Sequence, residues 1–578
     1  MTGEPILRKA WPSSSIGELL DYLKPGVLDG SCPPWPPDVF ALTASVLRRN
    51  GAYVRALELI PEGSRALLGN NVVRQVRSAG AEWRKAVLKA LEKFGSPLTK
   101  NDVESALADA QLPSAVKLWW KDLLSHGSVL LETTSMEDKL CHALLKLCLA
   151  ADEACTGLGI EFGSEEDFFL DVAEYPILDE NLWSSLCLAI SPDKVRVLPK
   201  QHTPQRGITV RSLSHNLALC PASEVAVTWN RAGNLARFRE FLSMNFLLLP
   251  WPLEVKASSF ELLEPGSGLP TLPGSYRFFS FRHPGPSLGF VAYLQEALKK
   301  AKEHVQRIDG FIFPELALTY EEYREAERIA LQEKVLLIAG VAVEPGEANC
   351  KAATNACFVQ SAGLTYATGG REEVLKRTRV MQAKHHRWCL DRNQILQYGL
   401  GGMLPASRYC WEHTDIGQRV VRFTTLGSSM TMSVLVCEDL ARQDPVSDIL
   451  RAVGPNLVVA LLMDGPQLRS RWPSRYASVL AEDPGCSVLT LTSLGMAKRS
   501  QAHPGEPDRS GVIALWRDVF YGERELELRA GEDAAVLSLS CNSLEEFSAD
   551  GRGDGGSALF PVFAGLHTFK TGFLKDRV

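Results

Sequence analysis

Apolar positions recur at helical spacing through the first part of the chain. Between Trp83 and Phe94, Val87, Leu88 and Leu91 fall at that spacing, and Gly95 with Pro97 ends the segment. Thr99 can cap a further helix, with Asp102 in its first turn, where a carboxylate suits the positive helix end. Met136–Ala154 carries Leu140, Leu144, Leu147 and Leu149 on a helical pattern, and Leu178–Ile190 repeats it. After Pro192 the runs Val195–Leu198 and Glu224–Trp229 predict short strands, with helices or loops at Arg206–Leu219 and Ala232–Phe246. The pattern predicts a mainly helical region over 1–265, breaking near 192. No nucleophile, metal set or phosphate loop assembles in it, so a protein partner or a scaffolding role is the expectation there.

Glu264–Gly274 is dense in proline, glycine and serine, the composition of an exposed connection, and the domain boundary is expected there. From Tyr276 the pattern alternates between strands and helices. Strands are predicted at Tyr276–Phe281, Gly310–Phe313, Val335–Val343, Asn355–Gln360, Val420–Thr424, Met432–Val436, Asn456–Leu462 and Ser487–Thr492. Three more follow at Gly511–Leu515, Glu523–Leu528 and Ala534–Leu539. Helices are predicted at Ser287–Gln306, Tyr320–Glu333, Leu440–Ala452 and Ser474–Glu482. An α/β domain of layered sheets with helices on their outer faces is expected over 275–545. The tail 546–578 is glycine-rich at Asp550–Ser557 and expected to be partly flexible, its Arg552-Gly553-Asp554 being linker chemistry.

Composition mainly removes alternatives. A chain of 578 residues calls for two or three domains, and 45% hydrophobic with 22% charged residues is a soluble globular balance. A net charge of −6 over the whole length makes no case for nucleic acid or an anionic membrane. The apolar run Phe246–Trp251 is too short to cross a bilayer. Thirteen cysteines without a Cys-x-x-Cys pair, and without an apolar leader, read as reduced thiols in a cytoplasmic protein. Cys141, Cys148 and Cys155 recur every seven residues on the helical segment, but no further ligand completes a metal set, so they read as small buried side chains.

The chemistry concentrates in three places. Phe311-Ile312-Phe313-Pro314-Glu315 is an apolar strand ending in a carboxylate. Ser433-Val434-Leu435-Val436-Cys437 is one ending in a thiol, followed by Glu438-Asp439. Between them lies Lys384, in Gln382-Ala383-Lys384-His385-His386. Strand ends at the mouth of a layered fold often hold reacting groups. A nearby lysine lowers a thiol's pKa, and a nearby carboxylate can take its proton. Together the three supply a nucleophile, a base and a cation for an oxyanion.

The order Glu315, Lys384, Cys437 on these elements resembles the nitrilase superfamily of carbon–nitrogen hydrolases. Pro314-Glu315-Leu316 resembles its glutamate motif, Asn355-Ala356-Cys357-Phe358-Val359 with Gly363 in the turn its following hairpin, and Lys384 with His386 its lysine motif. Val436-Cys437-Glu438-Asp439 is similar to the nucleophile elbow in its glutaminase form, and Arg475-Tyr476-Ala477 and the strand to Leu494-Gly495 to the downstream helix and strand. The resemblance spans about Tyr276 to Leu539. It implies an αββα sandwich in which Glu315 is the general base and Cys437 the nucleophile. Lys384 and the backbone N–H of Glu438 would hold the oxyanion. The family's second glutamate corresponds to Glu412, near Gly417 and the strand at Val420, with Gln394 the competitor. The resemblance further implies a small amide, carbamoyl or nitrile substrate, no cofactor, and a homo-oligomer. Departures are His385 between the lysine and histidine, Ala383 before the lysine, and an insertion at Gln397–Arg408.

Two rivals stand beside the hydrolase. One is a catalytically secondary nitrilase-fold scaffold in a multi-protein assembly, as in bacterial antiviral systems. The other is a cysteine protease with His386 or His413 as base, which needs a coincidence of fold. Gly399–Gly402 is too short for a nucleotide loop, so an ammonia-channelling synthetase has no support.

Overall fold

The computed structural model describes residues 14–57, 59–60, 65–66, 69–93, 100–108, 110–132, 137–156, 185–204, 207–222, 225–231, 243–264, 272–283, 289–366, 373–416, 419–426, 430–500, 507–549, 551 and 557–573. Thr99, Gly417, the tripeptide Arg552-Gly553-Asp554 and most of the expected connection at 264–274 lie outside these. No described helix is long and apolar enough to cross a membrane.

The chain divides into two units. One comprises Met1–Thr228 with Asp448–Gly454 and Leu544–Ala558, the other Trp229–Ser447 with Pro455–Ser543 and Leu559–Val578. In the first, the helices include Ile16–Leu23, Pro36–Asn50, Asn70–Leu91, Ser114–Ser125 and Asp138–Ala154. They bury Trp35, Phe40, Trp83, Val87, Leu140, Leu144 and Leu147, along with Cys141, Cys148 and Cys155. A hairpin pairs Val195–Pro199 with Leu217–Pro221. The buried Asp152 carboxylate is tied to it, accepting the N–H groups of His215, Asn216 and Leu217 at 2.8 to 2.9 Å.

The helix expected at Leu178–Ile190 fails over its described part, 185–190, which is irregular. Tertiary partners take its backbone instead. Leu186 donates to Val197 and accepts from the Trp35 indole, while the Asp38 carboxylate takes the N–H groups of Leu188 and Ala189.

The second unit is built on two seven-stranded sheets. One runs in the order Glu373–Ala383, Thr354–Tyr366, Leu336–Val343, Gly310–Thr319, Ser243–Leu248, Ala534–Glu545, Ser557–Phe569. The other runs Gly522–Glu527, Val512–Asp518, Ser487–Thr492, Leu457–Leu462, Met430–Val436, Val420–Leu426, Ala226–Arg231. The Gln382 side chain joins the sheets, donating to Val434 O at 2.9 Å and accepting from Arg422 N–H at 3.0 Å. A smaller sheet orders Cys389–Leu390, Tyr409–Glu412, Tyr276–Phe281 and Phe260–Leu263. Helices Phe290–His304, Tyr320–Glu333 and Trp472–Glu482 bury their apolar faces. A Thr319/Glu322 capping box starts the second of these.

Several elements differ from the pattern reading. The unit begins at Trp229 and not within 265–275, because Ser243–Leu248 is a strand near the middle of the first sheet, parallel to Gly310–Thr319. The expected tail contains the strand Ser557–Phe569. It lies at a sheet edge, where a proline such as Pro561 is tolerated. Gly363 is paired within a strand, opposite Lys376, and not in a turn. The helix expected over Leu440–Ala452 is interrupted, with Asp444 extended at φ −86°, ψ 130°.

Candidate active site

A bulge positions Glu315. The strand Gly310–Thr319 does not end at this residue but continues past it, and the pairing jumps from Ala339↔Phe313 to Val341↔Leu318. Residues 314–317 thus bow out opposite Gly340 alone. A side chain at Gly340 could not fit, since a Cβ there would lie 2.2 Å from Pro314 O. Leu316 takes φ +50°, which completes the kink.

Lys384 directly follows the strand Glu373–Ala383, its N–H bonded to Asn355 O at 2.8 Å on the neighbouring strand. Glu412 closes the strand Tyr409–Glu412 of the small sheet. Cys437 stands between the strand Met430–Val436 and the short helix Glu438–Ala441, at φ +48°, ψ −108°. That left-handed backbone is costly for a residue with a Cβ and marks an enforced elbow.

These side chains converge. Lys384 Nζ donates to Glu315 Oε1 at 2.8 Å and to Glu412 Oε2 at 2.7 Å. Asn355 Nδ2 donates to the same Glu315 oxygen at 2.7 Å and to Glu412 Oε1 at 2.8 Å. Trp388 N–H adds a bond to Glu412 Oε2 at 3.0 Å. Glu315 Oε2 is buried and has no hydrogen-bond partner among the described residues. Gln394, the competitor for the Glu412 position, instead closes a capping box with Asp391 on the helix Arg392–Gln397.

The electrostatics follow from burial. Glu315, Lys384 and Cys437 are 3%, 0% and 2% exposed. Burial opposes the Lys384 charge, but Glu315 and Glu412 outweigh it and hold the ammonium well above its ordinary pKa. Burial pushes the Glu315 carboxyl up, against Lys384, with Glu412 adding to the rise. Burial, and then the Glu315 charge, push the Cys437 thiol well up, against Lys384 and a bond from Met463 N–H. The sequence expectation that the lysine lowers the thiol's pKa is therefore outweighed. The resting sulfur is a thiol.

Sequence reasoning missed three supports. Asn355 entered it only as part of a hairpin. Asp439 accepts His385 N–H at 3.0 Å and lies 3.0 Å from His386 Nδ1, tying the elbow helix to the residues after Lys384. Asp464, one residue beyond Met463, accepts from the Tyr398 hydroxyl and from Arg471 at 2.6 Å. Tyr398 belongs to the segment expected as an insertion. Here that segment contributes Tyr398, Leu400 and Leu404 to an apolar cluster with Leu316, Trp388, Met463 and Met496. Only the Cys-Glu-Asp run could have flagged Asp439; contacts across tens of residues leave no local pattern.

No protein-family model matches this chain, and no curated protein matches it. Among solved structures it is similar to Saccharomyces cerevisiae Nit3, a member of branch 10 of the nitrilase superfamily. The two share 11% identity over 52% of this chain and 92% of that one, with a TM-score of 0.30. The C. elegans NitFhit protein is similar at 11% identity, over 52% of this chain and 61% of that one, with a TM-score of 0.28. At these scores neither likeness decides fold or chemistry.

Proposed function

We propose that the second unit hydrolyses a non-peptide carbon–nitrogen bond through a thioester on Cys437. The observation that carries this is the convergence of one buried lysine on two buried glutamates, beside a thiol on a strained elbow. Because the sulfur rests protonated, attack and proton loss proceed together. Cys437 Sγ bonds to the carbonyl or nitrile carbon as its proton passes to Glu315, whose Oε2 has no other partner among the described residues. Negative charge on the substrate oxygen, or on the nitrile nitrogen, faces the Lys384 ammonium. The N–H of Glu438 is a second donor, one of those at a helix start without an intrahelical acceptor. With an amide, Glu315 then returns the proton to the leaving nitrogen and ammonia or an amine departs. With a nitrile, the protonated adduct is a thioimidate, which first adds one water with Glu315 as base and loses its nitrogen as ammonia to give the same thioester. Water, deprotonated by Glu315, cleaves the thioester and the thiol is restored. Glu412 takes no proton in this scheme; it holds Lys384.

The test is release of ammonia or amine from a panel of small amides, carbamoyl compounds and nitriles, comparing the full chain with Cys437→Ala and Lys384→Met. Turnover of some member, abolished by both changes, supports the proposal. Turnover indifferent to Cys437 refutes it. A second reading, a silent version of the fold serving as a scaffold, draws on the near-complete burial of Glu315, Lys384 and Cys437. No turnover across the panel, with Cys437 inert to acyl donors, would favour it.

A further inference from the structure

Two carboxylates sharing one ammonium leave an excess negative charge in a buried site, and buried like charges repel strongly. Asn355 answers this geometrically. Its residue is 2% exposed, and its single amide nitrogen donates to Glu315 Oε1 and to Glu412 Oε1 at 2.7 and 2.8 Å. The amide cannot be turned around, because Oδ1 would then face two carboxylates. In the present orientation Oδ1 is buried and has no hydrogen-bond partner among the described residues. An unmade bond of this kind is costly, and the two bonds to carboxylates outweigh it. The backbone of the same residue is also held, its N–H donating to Thr414 Oγ1 at 2.8 Å and its carbonyl accepting from Lys384 N–H at 2.8 Å. Asn355 thus touches the strands or loops that deliver Glu315, Lys384 and Glu412.

We infer that Asn355 is a positioning residue: it holds Glu315 and Glu412 together as carboxylates around Lys384, and so keeps the base ionised and aimed. The charged groups at this point are Glu315, Glu412 and Lys384, with Cys437 beyond them and the Arg387 guanidinium on the backbone oxygens of Glu412 and Thr414. The catalytic meaning of the inference rests on the reading of Glu315 as base. The electrostatic role does not.

The experiment is thermal unfolding of the full chain at pH 5 and pH 8, for wild type, Asn355→Leu, and both again in a Glu315→Gln/Glu412→Gln background. Leucine keeps the shape of asparagine and removes the donors. Without them the Glu315 carboxyl, already raised by burial, takes up a proton still more readily in the folded state than in the unfolded chain. The variant's deficit must therefore grow as pH rises and shrink toward acid, where Glu315 is protonated in both proteins. We expect the gap from wild type to widen by about 3 °C or more between pH 5 and pH 8. The Gln/Gln background is expected to abolish the widening. A gap equal at both pH values, or one that widens in the Gln/Gln background too, means a packing role and overturns the inference. If Asn355→Leu does not fold, Asn355→Asp replaces it. A third carboxyl must give the same widening, and a flat gap overturns the inference. Failure here leaves the acyl-enzyme proposal standing, since that is judged by turnover at Cys437.

Discussion

Replacing Lys384 by methionine keeps much of the side chain's length and removes its charge. Its ammonium lies 2.8 Å from Glu315 and 2.7 Å from Glu412, with side-chain exposures of 1%, 1% and 6%. Deleting one member of a buried ion pair costs about 3–5 kcal/mol, because the partner stays buried without compensation. Here two partners are stranded, so the upper end of that range applies. Glu412→Gln is milder. It leaves Lys384 paired with Glu315, and the new amide oxygen can still accept from Trp388 N–H, so about 1–2 kcal/mol is expected. In the double variant only one carboxylate is stranded. The combined loss must fall short of the sum, by about 1–3 kcal/mol for groups in direct contact. Urea titration of the four proteins measures this cycle. Additive losses, to within about 0.5 kcal/mol, would refute the shared-ammonium description.

Other consequences are independent of that cycle. Gly340→Ala places a methyl against Pro314 O, so a loss of about 3 kcal/mol or failure to accumulate as soluble protein is expected, read by urea titration. Glu315 sits above its unfolded value of 4.5. Its ionisation therefore favours unfolding, stability falls as pH rises from 4.5 through the folded pKa, and thermal unfolding of Glu315→Gln should lack that slope. Alkylation of Cys437 by iodoacetamide should be slow at neutral pH and rise only in alkali. Its pH midpoint should move down in Glu315→Gln and up in Lys384→Met, as read by intact-mass kinetics. Asp439→Asn keeps the shape but weakens the bonds to His385 N–H and His386, and should lower stability by about 1–2 kcal/mol.

Much of the second unit was legible because its parallel strands are short apolar runs. Met430–Val436, Leu457–Leu462 and Ser487–Thr492 are buried along their whole length, and each reads as a strand by itself. Glu315 and Cys437 stood out as polar ends of apolar runs and Lys384 as the cation between them, whereas Glu412 entered only through the family resemblance, with Gln394 as its competitor. What escaped was whatever depends on pairing across distance. Nothing in Ser243–Leu248 announces that it will lie between Gly310–Thr319 and Ala534–Glu545. The bulge at Glu315 was hidden for the same reason, since it exists only in register with Gly340. Asn355 looked like a strand residue, and its function lies in two carboxylates 40 and 57 positions away. At Leu178–Ile190 helical periodicity misled over the described part, because Val197, Trp35 and Asp38 offer its backbone other partners.

The central claim is a covalent acyl intermediate on Cys437, and the most direct measurement is the intact mass of the full chain quenched within seconds of mixing with an activated acetyl ester. A single acetyl group, mapped by peptide mass to Cys437, lost on incubation in buffer and absent from Cys437→Ala, is the predicted result. No adduct, or acetylation spread over the thirteen cysteines and unchanged in Cys437→Ala, would contradict it.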